Sequence, residues 1–589
     1  MIPLLILSLF LRPPISFRPT GKQGTFTQIL DHFSMSDNRR FQQRYFINDI
    51  YYRNISSDPI IVDIGGESEY SESSIARGPY KAIASQTHAL IAGLEHRFFG
   101  KSQPFSDLSA ESLKYNTVDQ ALADIAHFIT FLRNKYCYNS TCDVLVIGGS
   151  YSGALSSWFR LYYPHLANYS WSSSAPINIK KKFYEYDASI ATTLRSFNES
   201  CFVNTKLILS SYHKVVESGD QNKIKELRTK FSIPESIDIT SVLSILSDVI
   251  SYAVQYNKNY QIIPGYCVKQ SMGNKDKKNP IFNPPQILTK DDKNFLEETN
   301  STNTVPKQIG TSNNHMDINI NMNMNQNDNS LGESFDFSDF GEPDESAFIE
   351  LYTNVLKILK ISVDSLDPFS YKDESIDGPN AAMRSWTWMQ CNELGWFSTS
   401  AGFKSSFVNF TYYDRMCAEL YGNMTIGNIS SVSRRYGGAN PRSSYVVFTQ
   451  GTADPWSTMG VQSIESSNSQ HLLYIKDGSH CEDLHSDSPD DSPDLTRVRR
   501  KVETILIEWL SNKCMKQCNK GMCLHDRCLC DDGWSGEFCT FQVVTSVRFW
   551  EIGITALMVP LIIMISIGGT AWWLFRRMQE EQFLLSLHY

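Results

Sequence analysis

A serine at the turn between a predicted strand and a predicted helix constrains the fold of this chain most. The apolar run Val144–Ile147 predicts a buried strand, and Gly148–Gly153 follow it with the sequence Gly-Gly-Ser-Tyr-Ser-Gly. Small residues around Ser150 allow a strained backbone that pushes the hydroxyl out of the top of a sheet, and the N–H of Tyr151 then points at an oxyanion. The usual pattern has glycine where this chain has Ser152. The turn predicts Ser150 as the nucleophile of a hydrolase.

Short apolar runs alternate with helical periodicity before and after this turn. The runs lie at 60–64, 89–94, 144–147, 444–448 and 471–475. Helical spacing covers 119–133 in the first block and 495–510 after the second. Strands interleaved with helices predict a parallel sheet with helices on its faces. We therefore expect one α/β domain that is built from two separated parts of the chain, 25–185 and 431–512.

The segment between these two parts has a different character. Its periodic stretches, 189–218, 237–256 and 347–363, are mainly helical in spacing. We predict an inserted helical cap over 186–430. Within the cap, 274–345 is rich in Asn, Asp, Ser and Met and has almost no apolar periodicity, which predicts a disordered loop extension.

The second sheet block supplies the two partners that a nucleophilic serine needs. A base must take the hydroxyl proton and a carboxylate must orient the base, and on a strand-elbow fold these follow in the order Ser, Asp, His. Asp454 directly follows the 444–448 run, and His480 directly follows the 471–475 run. Catalytic groups gather at the carboxyl ends of parallel strands. Either residue alone would be an ordinary turn or loop residue, but their order and placement predict a triad with Ser150.

Both ends of the chain carry apolar segments. Met1–Leu11 is almost entirely apolar and ends at Arg12-Pro13-Pro14, which predicts a signal peptide over 1–20. Ile552–Phe575 contains no charged residue in 24 positions and reaches about 36 Å as a helix, enough to cross a bilayer core. We predict one transmembrane helix over 550–575.

Arg576-Arg577 follow this helix at once, so the tail 576–589 is predicted to be cytosolic and the bulk of the chain lumenal or extracellular. The tail contains Glu580–Leu585, which resembles an acidic dileucine sorting signal. The expected protein is a single-pass type I membrane protein, with endolysosomal and cell-surface residence both open.

Cysteines and glycosylation sequons agree with an oxidising compartment. The chain has 13 cysteines, and the eight sequons lie at Asn54, Asn139, Asn168, Asn198, Asn300, Asn409, Asn423 and Asn428.

Six cysteines are crowded into 513–540 and end in the pattern C-x-C-x-x-G-W-x-G-x-x-C, which resembles an EGF-like module. That resemblance implies the pairs Cys514–Cys523, Cys518–Cys528 and Cys530–Cys539. The other seven cysteines are odd in number, so at least one is expected to be unpaired or intermolecular. Among them, Cys137 and Cys142 could close a short loop.

Several further stretches, in a fixed order over about 25–510, resemble the serine carboxypeptidases of the lysosomal Pro-X carboxypeptidase, dipeptidyl peptidase II and thymus-specific serine protease group. The matching stretches are Glu95–Ser102, Asp119–Asp124, Gly148–Gly153, Trp158–Arg160, Tyr163–His165, Arg384–Trp386, Cys391–Gly395, Asp454–Trp456 and Gly478–His480. The resemblance implies an α/β-hydrolase domain with a helical insertion, in which Ser150 is the nucleophile, His480 the base and Asp454 the acid that orients it. It also implies a Cys391–Cys417 disulfide, which leaves Cys481 as the odd thiol.

The remaining candidate residues surround this triad. Tyr151 N–H is one expected oxyanion donor, and the loop after the 60–64 run supplies Gly66 or Glu67 as the second, because its glycines allow a close backbone approach. Glu393 and Trp456 are candidate substrate-binding residues, with a salt bridge inside the cap as the alternative for Glu393. Glu95, His96 and Arg97 are expected to pair structurally.

Together these features predict a membrane-anchored serine exopeptidase that hydrolyses short peptides, in the resembled group often after proline, through an acyl-enzyme. An inactive adhesion or receptor ectodomain and a carboxylesterase on the same fold are the alternatives. The net charge of −9 without a basic stripe argues against nucleic acid. No cofactor and no metal are expected. Peptides and the membrane are the predicted partners, a homodimer stays open, and so do the terminus attacked and the need for proline.

Overall fold

The computed structural model of this chain describes most of the residues before 512 and short pieces beyond. The described ranges are 21–54, 58–76, 78–137, 142–257, 262–271, 343–422, 424–464, 469–511, 520–524, 527–531, 534–536, 539–542, 570 and 572–579. The chain divides into two compact units, Met1–Val502 and Glu503–Tyr589.

Ten of the described strands belong to the first unit and four to the second. The strands are β1 (Lys22–Ile29), β2 (Arg40–Asn48), β3 (Ile60–Ile64), β4 (Leu90–Leu94), β5 (Val144–Gly149), β6 (Tyr169–Ser173), β7 (Lys180–Lys182), β8 (Gly395–Phe397), β9 (Val446–Gly451), β10 (Gln470–Ile475), β11 (Gly521–Leu524), β12 (Arg527–Cys530), β13 (Trp534–Ser535) and β14 (Phe541–Gln542). Eight strands form one sheet in the order β1-β2-β4-β3-β5-β6-β9-β10. From β4 to β10 neighbouring strands are parallel, so their carboxyl ends share one edge.

The sheet is mixed, whereas the sequence predicted a parallel one. β1 pairs antiparallel with β2, and β2 pairs antiparallel with β4. β1 has the sequence KQGTFTQI with mostly exposed side chains, so it offers no apolar run that would mark it as a strand. The 60–64 run, after which the second oxyanion donor is predicted, is therefore the third strand of the chain. The predicted runs at 60–64, 89–94, 144–147, 444–448 and 471–475 correspond to β3, β4, β5, β9 and β10.

Helices follow the strands and fill the long insertion between β6 and β9. The helices are α1 (Glu72–Ala76), α2 (Tyr80–Thr87), α3 (Ala110–Leu113), α4 (Val118–Tyr136), α5 (Ser150–Tyr162), α6 (Tyr184–Phe197), α7 (Glu199–Glu217), α8 (Gln221–Lys230), α9 (Ile239–Gln255), α10 (Ile262–Ser271), α11 (Glu345–Leu359), α12 (Ala381–Met389), α13 (Phe410–Leu420), α14 (Ile429–Arg435) and α15 (Pro493–Ser511). Short 3₁₀ turns lie at Asp364–Leu366, Pro368–Ser370, Ser457–Met459 and Glu482–Leu484, and a π-turn lies at Gln390–Leu394.

The predicted helical stretch 189–218 is two helices, α6 and α7. Asn198 separates them with an extended backbone, φ −171°, and its side chain accepts a hydrogen bond from the N–H of Ser200 at the start of α7. Asparagine is favoured at such a position because its side chain satisfies an N–H group that the helix leaves open. Apolar periodicity continues across the break, so it did not reveal the boundary.

The inserted helices share a core with the sheet. A hydrophobic cluster contains Val62 and Val146 of the sheet together with Ile245 and Leu246 of α9. A short parallel pair, β7 with β8, also joins the segment after β6 to the insertion. The insertion is therefore held against the sheet by packing and by strand pairing.

The disulfides bear on several predictions. Cys391–Cys417 and Cys530–Cys539 are bonded, as is the candidate loop closure Cys137–Cys142. Cys201–Cys267 is a further disulfide that the sequence did not predict. Cys481 is a free cysteine, as the resemblance implied. Cys514 and Cys518 lie outside the described residues, and so do the pairs predicted for them.

Within the described ranges, every helix is too short or too polar to cross a bilayer. The predicted signal peptide 1–20, nearly all of the loop extension 274–345 and most of 550–575 and 576–589 lie outside the described residues. α11 begins at Glu345, so helix starts where the predicted loop was to end.

Five of the predicted glycosylation sites are described. Asn54, Asn198, Asn409 and Asn428 are exposed, and Asn168 is partly buried. The side-chain oxygens of Asn198, Asn409 and Asn428 cap α7, α13 and α14, and the amide nitrogen of Asn409 donates to the carbonyl of Ser406 at 3.1 Å. Asn139, Asn300 and Asn423 lie outside the described residues, and glycosylation at all eight sites stays a prediction.

Candidate active site

The turn between β5 and α5 has the geometry that the sequence predicted. Gly149 is extended, and Ser150 has φ +56°, a left-handed conformation that side chains other than glycine rarely adopt. A Cβ on Gly148 would lie 2.1 Å from the carbonyl oxygen of Ser152, and one on Gly153 would lie 2.7 Å from that of Ser173. A side chain at either position would collide with these carbonyl oxygens. Glycine at 148 and 153 therefore allows α5 to turn sharply away from β5. Strain of this kind is typical of a functional side chain.

Ser152 stands where the usual pattern has glycine, and its side chain stabilises the same turn. Its hydroxyl donates to the carbonyl of Gly149 at 2.8 Å and accepts from the N–H of Gly149 at 3.2 Å. A Cβ on Gly66 would lie 3.6 Å from this hydroxyl, so the loop after β3 approaches the turn closely. Serine therefore replaces glycine here without opening the turn.

Asp454 and His480 form a buried pair at the carboxyl ends of β9 and β10. The two carboxylate oxygens of Asp454 lie 2.9 and 2.8 Å from Nδ1 of His480, and the carboxylate also accepts the backbone N–H of Trp456 at 2.9 Å. Burial lowers the pKa of the imidazole, but the charge and hydrogen bond of Asp454, together with Cys481, outweigh it and raise that pKa well above its usual value. A carboxylate on Nδ1 leaves Nε2 as the nitrogen that can act as a base.

Ser150 and His480 line the same cavity of about 510 Å³. Nε2 of His480 is buried and has no hydrogen-bond partner among the described residues, so the Ser150 hydroxyl does not contact it in this conformation. Hydrogen bonds between catalytic groups are often long or poorly aligned before substrate binds. The arrangement thus brings the predicted acid and base together and places the predicted nucleophile on the same cavity.

The candidate oxyanion residues also lie at this cavity. Tyr151 and Glu67 line it, and Gly66 lies beside the turn. The side chain of Tyr151 is buried, and its hydroxyl lies 3.1 Å from Nε2 of His96. Its backbone N–H is at the start of α5, where amide groups lack a partner within the helix. Which of Gly66 and Glu67 donates stays a prediction.

Trp456 lines the cavity and lies close to the base. Its ring centroid is 6.3 Å from that of His480, and its indole N–H donates to the side-chain oxygen of Gln255 at 3.0 Å. The rings of Trp396 and Tyr186 lie 6.1 and 5.4 Å from it. The rings of Trp456, Trp396 and Tyr186 therefore form an aromatic wall of the cavity next to His480.

Glu393 does not line the cavity, and its carboxylate makes neither of the contacts considered for it from the sequence. It accepts the backbone N–H of Val118 at 2.7 Å, at the first residue of α4. A carboxylate at a helix N-terminus satisfies an open N–H group and faces the positive end of the helix dipole. Burial raises the pKa of Glu393 to about 7. Glu393 is thus a helix cap. The other predicted pairings hold: Glu95 binds Arg44, and Arg97 binds Asp124.

We expect Glu393 to make folding stability depend on pH. Its pKa rises from 4.5 to about 7 on folding, so the folded protein keeps a proton that the unfolded chain releases between these values. The stability that this proton contributes is present below pH 4.5 and is lost as the pH rises through 7. Glu393→Gln keeps an acceptor for Val118 and cannot titrate, so its melting temperature should fall less than that of the wild type between pH 5 and 7.5. Equal falls in both proteins would contradict this, and the exposed Glu111→Gln is the control.

The sequence profile of the family described as serine carboxypeptidase S28 matches residues 28–336 and 344–502. The chain belongs to the serine carboxypeptidase S28 family. The S28 match covers both parts of the sheet domain and the insertion between them, and the nucleophile turn, Asp454 and His480 all lie within it.

Named relatives of this S28 chain are serine proteases. Mouse thymus-specific serine protease is 26% identical over 513 residues, which cover 83% of this chain and 88% of that protein. The human thymus-specific serine protease is 26% identical over 506 residues, with 83% and 87% covered. A solved prolyl endopeptidase structure covers 27% of this chain and 22% of that chain at 13% identity, with a TM-score of 0.20. The family and these relatives make the chain a serine-type peptidase.

One residue of the S28 site was missed by sequence reasoning. Gln255 ends α9, and its backbone carbonyl accepts the N–H of His480 at 3.0 Å. Its side-chain oxygen accepts from Tyr186 at 2.8 Å and from Trp456 at 3.0 Å. A glutamine in a helical stretch far from His480 in sequence carries no signal of this contact. The insertion therefore positions both the base and the aromatic wall.

We expect Gln255→Ala to lower kcat/KM for peptides about 10-fold, because Tyr186 and Trp456 lose their acceptor while the backbone contact to His480 survives. Gln255→Glu keeps the acceptor oxygens and should restore most of the activity. The loss should fall mainly on KM, since the aromatic side chains are predicted to contact substrate rather than the reacting atoms. An unchanged KM in the alanine variant would refute the positioning role, with the exposed Gln221→Ala as the control.

Proposed function

We propose that this chain is a membrane-anchored serine exopeptidase that hydrolyses short peptides through Ser150, His480 and Asp454. The observation that supports this most is the Asp454–His480 hydrogen bond beside a cavity that a strained Ser150 also lines. Three groups of these types in chain order Ser, Asp, His on this fold serve one proton-transfer unit.

In the proposed reaction the Ser150 hydroxyl oxygen attacks the peptide carbonyl carbon while Nε2 of His480 takes the hydroxyl proton. The N–H of Tyr151, with that of Gly66 or Glu67, donates to the oxyanion that forms. His480 then gives the proton to the leaving amine, and an acyl ester remains on Ser150. Water, activated by His480, hydrolyses the ester and returns the enzyme to its starting state.

The cavity supports short peptides as substrates. Its volume of about 510 Å³ lies in the range of small-ligand pockets, and helices of the insertion form much of its wall. The rings of Trp456 and Trp396 beside the reacting groups suit a compact apolar side chain such as that of proline. We propose cleavage after proline on this basis.

The chain is proposed to be anchored by residues 550–575, with the enzyme lumenal or extracellular and an EGF-like module over 513–540 between enzyme and membrane. Supporting this module are the Cys530–Cys539 disulfide and the short antiparallel pairs β11 with β12 and β13 with β14. Residence in endolysosomes or at the cell surface is proposed from the tail sequence. Retention of the full chain in membranes after alkaline carbonate extraction would support the anchor, and release would contradict it.

Exopeptidase action is tested with one peptide sequence prepared in two forms, with free ends and with both ends blocked. The full chain should cleave the free form and should be about 10- to 100-fold slower on the blocked form, since recognition of a charged terminus is lost. Equal cleavage of both forms would mean an endopeptidase. Hydrolysis of simple esters without peptides would favour the carboxylesterase alternative, and inertness toward both would favour an adhesion or receptor role.

A further inference from the structure

Two acidic residues contribute to the lining of the cavity beside Ser150. Glu67 and Asp248 contribute carboxylates to its lining, and the described lining residues include no lysine or arginine. A free substrate carboxylate would find no permanent cation there, whereas an ammonium group would find acidic partners. The lining therefore discriminates between the two termini of a peptide.

Asp248 lies in the insertion, on α9, with its side chain 29% exposed. One carboxylate oxygen accepts from Nζ of Lys404 at 2.6 Å, and the other accepts from the hydroxyl of Ser244 at 2.9 Å. The charge of Lys404 also lowers the pKa of Asp187, but burial raises that pKa by more. Asp187 is buried and accepts the backbone N–H groups of Ala401, Phe403 and Lys404. One cation thus serves two carboxylates, and the acid that faces the cavity is Asp248.

Tyrosine hydroxyls surround Asp248 in the same part of the cavity. The lining tyrosines there are Tyr186, Tyr252, Tyr371, Tyr412 and Tyr413. Burial, together with the charge of Asp248, raises the pKa of Tyr252 and Tyr413, so both stay neutral hydroxyls. A neutral hydroxyl can accept a hydrogen bond, and an ammonium group has three N–H donors to place. A carboxylate ringed by hydroxyls matches that donor set.

The opposite end of this cavity carries an open position of its own. Nε2 of His480 is without a hydrogen-bond partner among the described residues, in a residue that is only 3% exposed, and Ser150 lies at the same cavity. A base needs a nitrogen that is free to take a proton from a group in the cavity. The cavity thus has a reacting end and an acidic end.

The spacing between the two ends is set by α9. Ser244, Asp248, Ser251, Tyr252 and Gln255 line the cavity along one face of this helix. The carbonyl of Gln255 accepts the N–H of His480, and Asp248 lies two turns earlier, about 10 Å along the helix axis. An extended peptide spans about 3.3–3.6 Å per residue, so about three residues bridge this length.

We propose that Asp248 and the hydroxyls around it bind the free α-ammonium group of a peptide, so that about three residues are released from its amino terminus. This inference rests on the proposed function of Ser150 as the nucleophile of a peptidase. It assigns the direction of cleavage, which the sequence left open, to a side chain of the insertion.

The test uses one hexapeptide in three forms, with free ends, with an acetylated amino terminus and with an amidated carboxyl terminus, incubated with the full chain. Mass spectrometry should find peptides of about three residues from the amino terminus of the free and amidated forms, and acetylation should slow cleavage about 10- to 100-fold. Asp248→Asn should slow cleavage of the free form by a similar factor and leave the acetylated form unchanged.

Tyr252→Phe removes one hydroxyl and leaves the Asp248–Lys404 ion pair in place, so it keeps the test valid if Asp248→Asn does not fold. We expect a smaller loss of cleavage rate, confined to the peptides with a free amino terminus. The exposed Asp377→Asn is the control. Release of residues from the carboxyl terminus, or indifference to acetylation, would overturn the inference while leaving Ser150 as nucleophile. Absence of any peptide cleavage by the wild type would overturn the proposed function and this inference together.

Discussion

Replacing Ser150 with alanine is expected to lower kcat for peptide hydrolysis by about 10⁴- to 10⁶-fold, because the proposed acyl-enzyme forms on the Ser150 hydroxyl. Ser150 is the residue that the β5–α5 turn holds at φ +56°, and alanine tolerates that backbone no worse than serine. The variant should therefore fold and bind peptides with a KM near that of the wild type. The measurement is single-turnover and steady-state hydrolysis of the free-ended peptide.

Ser157→Ala is the matched control for Ser150→Ala. Ser157 is a buried serine on the same helix, α5, and its hydroxyl has no hydrogen-bond partner among the described residues. Its loss should leave kcat within about 2-fold, since an unbonded buried hydroxyl contributes little. A Ser150→Ala variant that kept more than a few per cent of activity would assign the chemistry to another nucleophile.

Asp454→Asn is expected to cost about 10⁴-fold in kcat with little change in fold. Asparagine retains an oxygen for the N–H of Trp456, but its amide donates to Nδ1 of His480. The imidazole proton then moves to Nε2, and the nitrogen that should accept the serine proton carries one already. A side chain of equal size thus removes the base without removing His480.

The pH profile of Asp454→Asn gives a second readout. The charge of Asp454 raises the pKa of His480 against the effect of burial, and Glu67, Cys481 and Tyr256 are the other titratable groups that face the imidazole. Only the neutral imidazole acts as a base, so a raised pKa moves the loss of activity on acidification to higher pH. In the variant the residual activity should persist to lower pH. An unshifted profile would contradict the pairing, and the exposed Asp490→Asn is the control.

The candidate site residues that could be predicted from the sequence lie next to segments with a strong apolar pattern. Ser150, Asp454 and His480 each follow an apolar run, and buried parallel strands are the segments that such runs mark best. The mixed edge of the sheet was missed because β1 is a half-exposed strand with polar side chains. Strand pairing at an edge depends on the neighbouring strand, which no local pattern contains.

The contacts that the insertion makes could not be predicted from the sequence for a different reason. Gln255 and Asp248 act across long sequence separations, and the Cys201–Cys267 disulfide closes 66 residues. Helical periodicity gives the buried face of α9 but not the partner on which that face packs. Glu393 illustrates the converse: a charged residue in a matching motif was a candidate for substrate binding or for a salt bridge, and its carboxylate accepts the N–H of Val118 at the start of α4.

The most direct test of the account is covalent labelling of the full chain with a fluorophosphonate, followed by digestion and mass spectrometry. A serine made nucleophilic by a neighbouring base forms a stable phosphonyl ester, whereas ordinary serines do not react. The account predicts a single modified peptide that carries the label on Ser150, strong loss of labelling in Asp454→Asn and none in Ser150→Ala. Folded wild-type protein that stays unlabelled, or a label on any other serine, would contradict it.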